Sequence, residues 1–236
     1  MPLTQTRFRH PSRLPQPVES PRTGGVLVVV GGDDVPDWAV RWCARSDREL
    51  RRQLVSSVAT DRVGAIGVIA ASAARGGGAV LTLPASAPLR PGPARVVAAV
   101  RDLPDDAQTV ADAAVSAAEM GAGLTVAHGV PLSFGERTVG LDAATARAHR
   151  LLDAASDQAA AADPGVELKR WLARVRPHEL VGEDLDADLL VVGGPRADVP
   201  DRLGLVARSA LHHAPCAVLL IPRPARFPSG LPTCGP

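Results

Sequence analysis

The residues with the clearest chemical potential lie between positions 187 and 222. An apolar run, Asp188-Leu189-Leu190-Val191-Val192, ends in Gly193-Gly194, and a short polar loop follows. Gly204-Leu205-Val206 then opens an amphipathic run to His213, and Ala214-Pro215-Cys216 leads into a second apolar run at 217–221. Glycine lets backbone N–H groups close in on a phosphate, and a helix start adds the positive end of its dipole. Anion binding is therefore the chemistry to look for in this loop.

Sharper chemistries find less support. His212-His213-x-x-Cys216 suggests a metal, but adjacent helical residues project about 100° apart, so only one histidine can join Cys216. Basic residues at a helix C-terminus, followed by proline, explain the same letters. No G-x-S-x-G elbow is present, and Ser209 falls inside a helical run. His128 ends a strand and reads as a structural histidine before a base. Trp38 and Trp42, four residues apart, read as core or interface. No catalytic residue and no metal ligand is assigned.

Alternating strand and helix patterns position these residues. In residues 25–84, strands are expected at 26–30 and 79–83, a helix from 37 to about 58, and an amphipathic run from 64 to 74. Residues 85–93 are Pro-rich and read as a linker. Beyond it come strand 95–100, helix 106–120 closed by Gly121, strand 124–128, helix 142–162, strand 166–172, a short helical piece at 177–183, and the opening stretch. The fold class is α/β, a Rossmann-like open parallel five-stranded sheet with helices on both faces, over 94–222. Residues 1–24 read as a disordered basic Pro-rich arm and 223–236 as a flexible tail.

The chain has 236 residues and a net charge of +1, with no tyrosine and 3% aromatic residues, so its core must be aliphatic. The arm carries +3 and the tail +2, which leaves −4 for residues 25–222. An acidic body argues against nucleic acid as a partner. The three cysteines, Cys43, Cys216 and Cys234, are odd in number and scattered, which suits a reducing compartment. With no membrane-length apolar run and no signal-peptide pattern, a cytoplasmic location without membrane contact is expected.

An internal repeat bears on the architecture. Gly67, Ala70, Ser72 and Ala73 match Gly204, Ala207, Ser209 and Ala210. Ala79-Val80-Leu81 and Pro84 match Ala217-Val218-Leu219 and Pro222, and Asp34-Val35-Pro36-Asp37 matches Asp102-Leu103-Pro104-Asp105. Residues 25–84 thus read as a truncated, degenerate second copy. In it the strand 26–30 is either the first strand, which the repeated tetrapeptide favours, or the penultimate one.

On these residues the chain resembles the universal stress protein family. The resemblance is carried by 188–193 and 204–219, with 95–121 and 124–131 in support. It implies strand order 3-2-1-4-5 and dimer contact through the last strand. It also places a nucleotide site on Val100, Arg101, Asp102, Gly193, Gly194, Arg196, Gly204, Leu205 and Val206. Nucleotide-binding members carry G-x2-G-x9-G-[ST] there and an acid at the end of the first strand. In this chain Gly193 and Gly204 fit, but Arg196 replaces the second glycine, Leu205 the hydroxyl and Arg101 the acid, and the loop is two residues shorter. Asp33 falls at the corresponding acid position of the N-terminal copy.

The leading expectation is a non-enzymatic binding or scaffolding protein of a stress response, with no cofactor and a protein partner of unknown identity. The alternatives are an ATP- or AMP-binding regulator with magnesium and slow hydrolysis, and an anion or small-ligand sensor using Arg101 and Arg196. Self-association through Ala217, Val218, Leu219, Leu220 and Ile221 competes with internal pairing of that strand with Ala79, Val80, Leu81, Thr82 and Leu83.

Overall fold

A computed structural model describes residues 25–31, 34–53, 61–84, 92–130, 140–200 and 202–225. The arm 1–24, Asp33, most of the linker and most of the tail fall outside the described residues. The chain order is β1 (Val26–Val30), α1 (Asp37–Arg45), β2 (Glu49–Gln53), α2 (Arg62–Arg75), β3 (Ala79–Thr82), β4 (Arg95–Ala99), α3 (Ala107–Met120), β5 (Gly123–Gly129), α4 (Leu141–Ala162), β6 (Leu168–Ala173), β7 (Leu189–Arg196), α5 (Leu205–His213) and β8 (Ala217–Arg223).

The eight strands among the described residues form one sheet in the order β2-β1-β3-β8-β7-β4-β5-β6. Its second half, β6-β5-β4-β7-β8, is parallel and has the order 3-2-1-4-5 when its strands are counted from β4. The first half is also parallel, with β1 between β2 and β3. The halves meet at one antiparallel seam, where Val80, Leu81 and Thr82 pair with Leu220, Leu219 and Val218. β1 leads through α1 to an outer neighbour, as β4 does through α3, yet it lies directly beside β3, as β7 lies beside β8.

Side chains alternate across the sheet and make two aliphatic layers. Leu27, Val29, Leu81, Val96, Ala98, Val191 and Leu219 pack under α1, α3 and α4. Val30, Val80, Val97, Leu190, Val192 and Leu220 pack under α2, α5 and the segment from Leu180 to Ala187. Ion pairs bind α1 to the second half: Arg45 reaches Asp163 at 2.6 Å, and Arg41 reaches Glu119 at 3.0 Å. Arg48 pairs with Asp112 at 3.1 Å, both nearly buried, and its guanidinium stacks 4.5 Å from the centre of the Trp42 ring.

Three expectations need correction. The helix from 37 to 58 stops at Arg45; Asp47 takes a positive φ of 50°, and Glu49–Gln53 becomes an edge strand. The piece at 177–183 is a run of turns, not a helix. Third, the loop does not begin directly after Gly194. β7 runs on past Gly194 to Arg196, because Gly193 and Arg196 keep pairing with Ile221 and Arg223 across a bulge.

Candidate functional site

The carboxyl ends of β4, β5 and β7 and the start of α5 surround a cavity of about 260 Å³. Its inner walls are apolar: Ala99, Val100, Ala127 and Val192 from the strands, Leu205, Val206 and Ala207 from the helix. His128 and Gly129 from β5, with Pro177 and His178, close one side. The Nδ1 of His128 lies 2.8 Å from the carbonyl oxygen of Val100, and a neutral ring that donates there keeps Nε2 as an acceptor. A helix start without a side-chain cap faces this space: Gly204 supplies no oxygen, and Leu205 is two-thirds exposed.

The polar end of the cleft is filled by the protein's own ion pairs. Asp106, wholly buried, accepts Nε–H of Arg223 at 2.6 Å and the backbone N–H of Arg101 at 2.7 Å. This carboxylate therefore fixes the turn after β4 and anchors the end of β8 in one contact. Arg223 in turn lies against Gly193, where an added Cβ would overlap its guanidinium. Asp105 accepts from Arg101 at 3.1 Å and also from Arg196. That hydrogen bond raises the Arg196 pKa above its ordinary value, with burial opposing. Arg101 meets Asp102 as well, at 3.0 Å. Asp198 adds to the field at Arg196. Three arginines thus face four aspartates.

Most of the sequence-assigned positions converge here. Val100, Arg101, Gly193, Gly204, Leu205 and Val206 line the cavity, and Asp102 and Arg196 join the ion-pair network beside it. Gly194 does not reach the cavity lining; it is buried against β8, where a Cβ would sit 3.2 Å from the carbonyl oxygen of Ile221. Asp33 lies outside the described residues. Sequence reasoning missed Asp105, Asp106 and Arg223. The run Asp102-Leu103-Pro104-Asp105-Asp106 at a helix start was a signal for the first two; Arg223 was assigned to the tail. His212, His213 and Cys216 form no metal cluster, and no group of three such ligands occurs among the described residues. No helix among them is long and apolar enough to cross a membrane.

A sequence model of the universal stress protein family matches residues 94–222. No curated protein matches the chain by sequence. Among solved structures, a universal stress protein from Archaeoglobus fulgidus in complex with dAMP is 26% identical, covering 54% of this chain and 97% of its own, with a TM-score of 0.44. UspA from Lactobacillus plantarum is 24% identical over 56% of this chain and 99% of its own, with a TM-score of 0.44. A protein of unknown function from Pseudomonas aeruginosa is 14% identical over 84% of this chain and 82% of its own, with a TM-score of 0.42.

Proposed function

This chain belongs to the universal stress protein family, and we propose that within it the protein is a non-enzymatic cytoplasmic binding or scaffolding module of a stress response whose cleft does not take a nucleotide polyphosphate. One observation carries this reading: the Arg223 guanidinium, held by buried Asp106, occupies the approach to Gly193. The close approach that a glycine permits is already used by a side chain. The surrounding charge agrees, because the carboxylates of Asp102, Asp105, Asp106 and Asp198 repel phosphate oxygens and offset the attraction of the arginines. Leu205 at the helix start adds exposed apolar surface where a hydroxyl donor would serve a phosphate.

The same pairing weakens the reading of Arg101 and Arg196 as an anion fork. Both guanidiniums converge on Asp105, so that carboxylate already offsets part of the charge an anion would meet. A second reading, AMP binding without hydrolysis, rests on the apolar cavity by Val100, Ala127 and Val192, which leaves room for a flat ring while the phosphate end is closed.

Thermal denaturation in the presence of nucleotide separates these readings. With millimolar ATP and magnesium the melting temperature is expected to stay unchanged, since a ligand at about 100 times its dissociation constant adds about 2.7 kcal/mol. A rise of several degrees with ATP overturns the proposal. A rise with AMP alone moves the assignment to the second reading.

A further inference from the structure

We propose that the cleft takes a small, uncharged and largely apolar molecule that carries one hydrogen-bond donor. This rests on the reading above, that the cleft admits no nucleotide polyphosphate, and adds what occupies it instead. The space exists because its lining is small. Ala99, Ala127 and Ala207 end in a methyl group, and Gly204, where an added Cβ would meet nothing within 4 Å, adds no bulk at the start of α5. Gly129 shapes another side: a Cβ there would lie 3.1 Å from Cα of Pro177, so the bare backbone lets that turn come in against β5. The Oγ of Ser209 donates to the carbonyl oxygen of His178 at 2.9 Å and ties the turn to α5. At about 260 Å³ the space equals about nine waters at ~30 Å³ each. That suits a ligand of about nine non-hydrogen atoms, smaller than those that fill sites of roughly 300–1,000 Å³.

The lining selects for absence of charge. Val100, Val192, Leu205 and Val206 supply apolar wall, which favours a ligand by about 25 cal/mol for each Å² of its apolar surface taken out of water. Arg101 and Arg223, the two arginines among the lining residues, are both paired. Arg101 meets Asp102 at 3.0 Å and Asp105 at 3.1 Å, and Arg223 meets the wholly buried Asp106 at 2.6 Å. An anion would leave water for a site whose positive charge is already offset, a cost that an uncharged molecule does not incur.

One polar group sets the ligand's own. His128 lines the cavity, its Nδ1 is engaged with the carbonyl oxygen of Val100 at 2.8 Å, and its Nε2 meets no donor among the described residues. In the neutral ring Nε2 accepts, so the matching group on the ligand is an N–H or O–H.

The test is a titration of the full-length, isotope-labelled chain followed by amide NMR shifts, with indole as the probe: no charge, one N–H and the right size. Indole is expected to saturate, with shifts confined to Val100, His128, Leu205, Val206 and Ala207. Benzofuran, the same frame with oxygen in place of N–H, is expected to bind about tenfold more weakly, because it sets a lone pair against Nε2. His128→Phe keeps a ring but removes Nε2, and brings the two probes within about twofold of each other. Phenyl phosphate leaves the same amides unmoved at equal concentration. Indole shifts that are absent at millimolar concentration, or spread over the surface, overturn the proposal. So does benzofuran or phenyl phosphate binding the unaltered chain as tightly as indole, a comparison that holds even if His128→Phe does not fold. ATP with magnesium separates the two levels of failure. Saturating shifts at these amides overturn the cleft reading and this proposal with it, whereas amides unmoved by both ATP and indole overturn this proposal alone.

Discussion

At the residue scale the cleft turns on a side chain that the family's glycine pattern does not contain. Arg223 lies beside Gly193 and is held by Asp106, which is wholly buried and also accepts the backbone N–H groups of Arg101 and Asp102. A carboxylate in that position is tolerated only because it is paired and hydrogen-bonded. Asp106→Asn removes the charge but keeps the shape, leaving Arg223 without its partner. The expected loss is about 2–4 kcal/mol of unfolding free energy, measured in urea; a loss below about 1 kcal/mol would show that the pair does not hold the turn. A second residue-scale prediction concerns Cys43, whose thiol burial pushes up from 9.0 to about 11, with Arg48 opposing. The unfolded thiol ionises near pH 9 and the folded one only near 11. The stabilisation is therefore complete below pH 9 and is lost as pH rises towards 11, by about 2 kcal/mol. The absence of tyrosine and a single lysine, Lys169, keep other titrations in that window few. Cys43→Ala should flatten the decline in stability between pH 9 and 11, and an unchanged slope would place its origin elsewhere.

At the element scale, the strands that carried their own signal were legible and those defined by partners were not. Continuous apolar runs marked β1, β3, β4, β7 and β8, because each is buried on both faces between helices. Gly121 marked the end of α3 and takes the left-handed conformation there, with φ of 61°. β2 was invisible: Glu49-Leu50-Arg51-Arg52-Gln53 has one partly buried residue and four exposed ones. Among the described residues it is an edge strand paired with β1 alone, and charge on such a strand discourages further pairing. Its arginines continued the polar pattern of α1, and only Asp47 turning into positive φ separates the two elements. The extension of β7 beyond Gly194 was hidden for a related reason. Pro195 and Arg196 after the two glycines read locally as a loop, but pairing with β8 carries the strand on to Arg196. The same limit applies to the site. Arg101, Arg196, Gly204 and Leu205 were found because the family resemblance places its site pattern on those positions. Arg223 reaches the cleft only through the register between β7 and β8, and that register is a property of the sheet.

At the scale of the whole molecule, the antiparallel seam decides how the chain meets other copies of itself. A last strand left open at a sheet edge is a template for another chain. Here β3 occupies that edge of β8, with Leu81 opposite Leu219, and Thr82 adds a hydroxyl hydrogen bond to the carbonyl oxygen of Val218 at 3.3 Å. α1 and the turn after it also tie residues 25–84 to the second half, through Arg45 to Asp163 and Arg48 to Asp112. We propose that residues 25–84 act as a built-in partner, a shortened second copy that takes the place of another subunit. The edges that remain, β2 and β6, carry Arg51, Arg52, Lys169 and Arg170, and such charge disfavours sheet extension. Light scattering should accordingly find the full-length chain monomeric. The fragment 93–236, in which Val218, Leu219 and Leu220 lose their cover, should self-associate, and Leu219→Arg in that fragment should abolish the association. A full-length dimer that breaks on Leu219→Arg but survives Leu81→Arg would mean that β8 pairs between chains, and the internal-partner reading would fall.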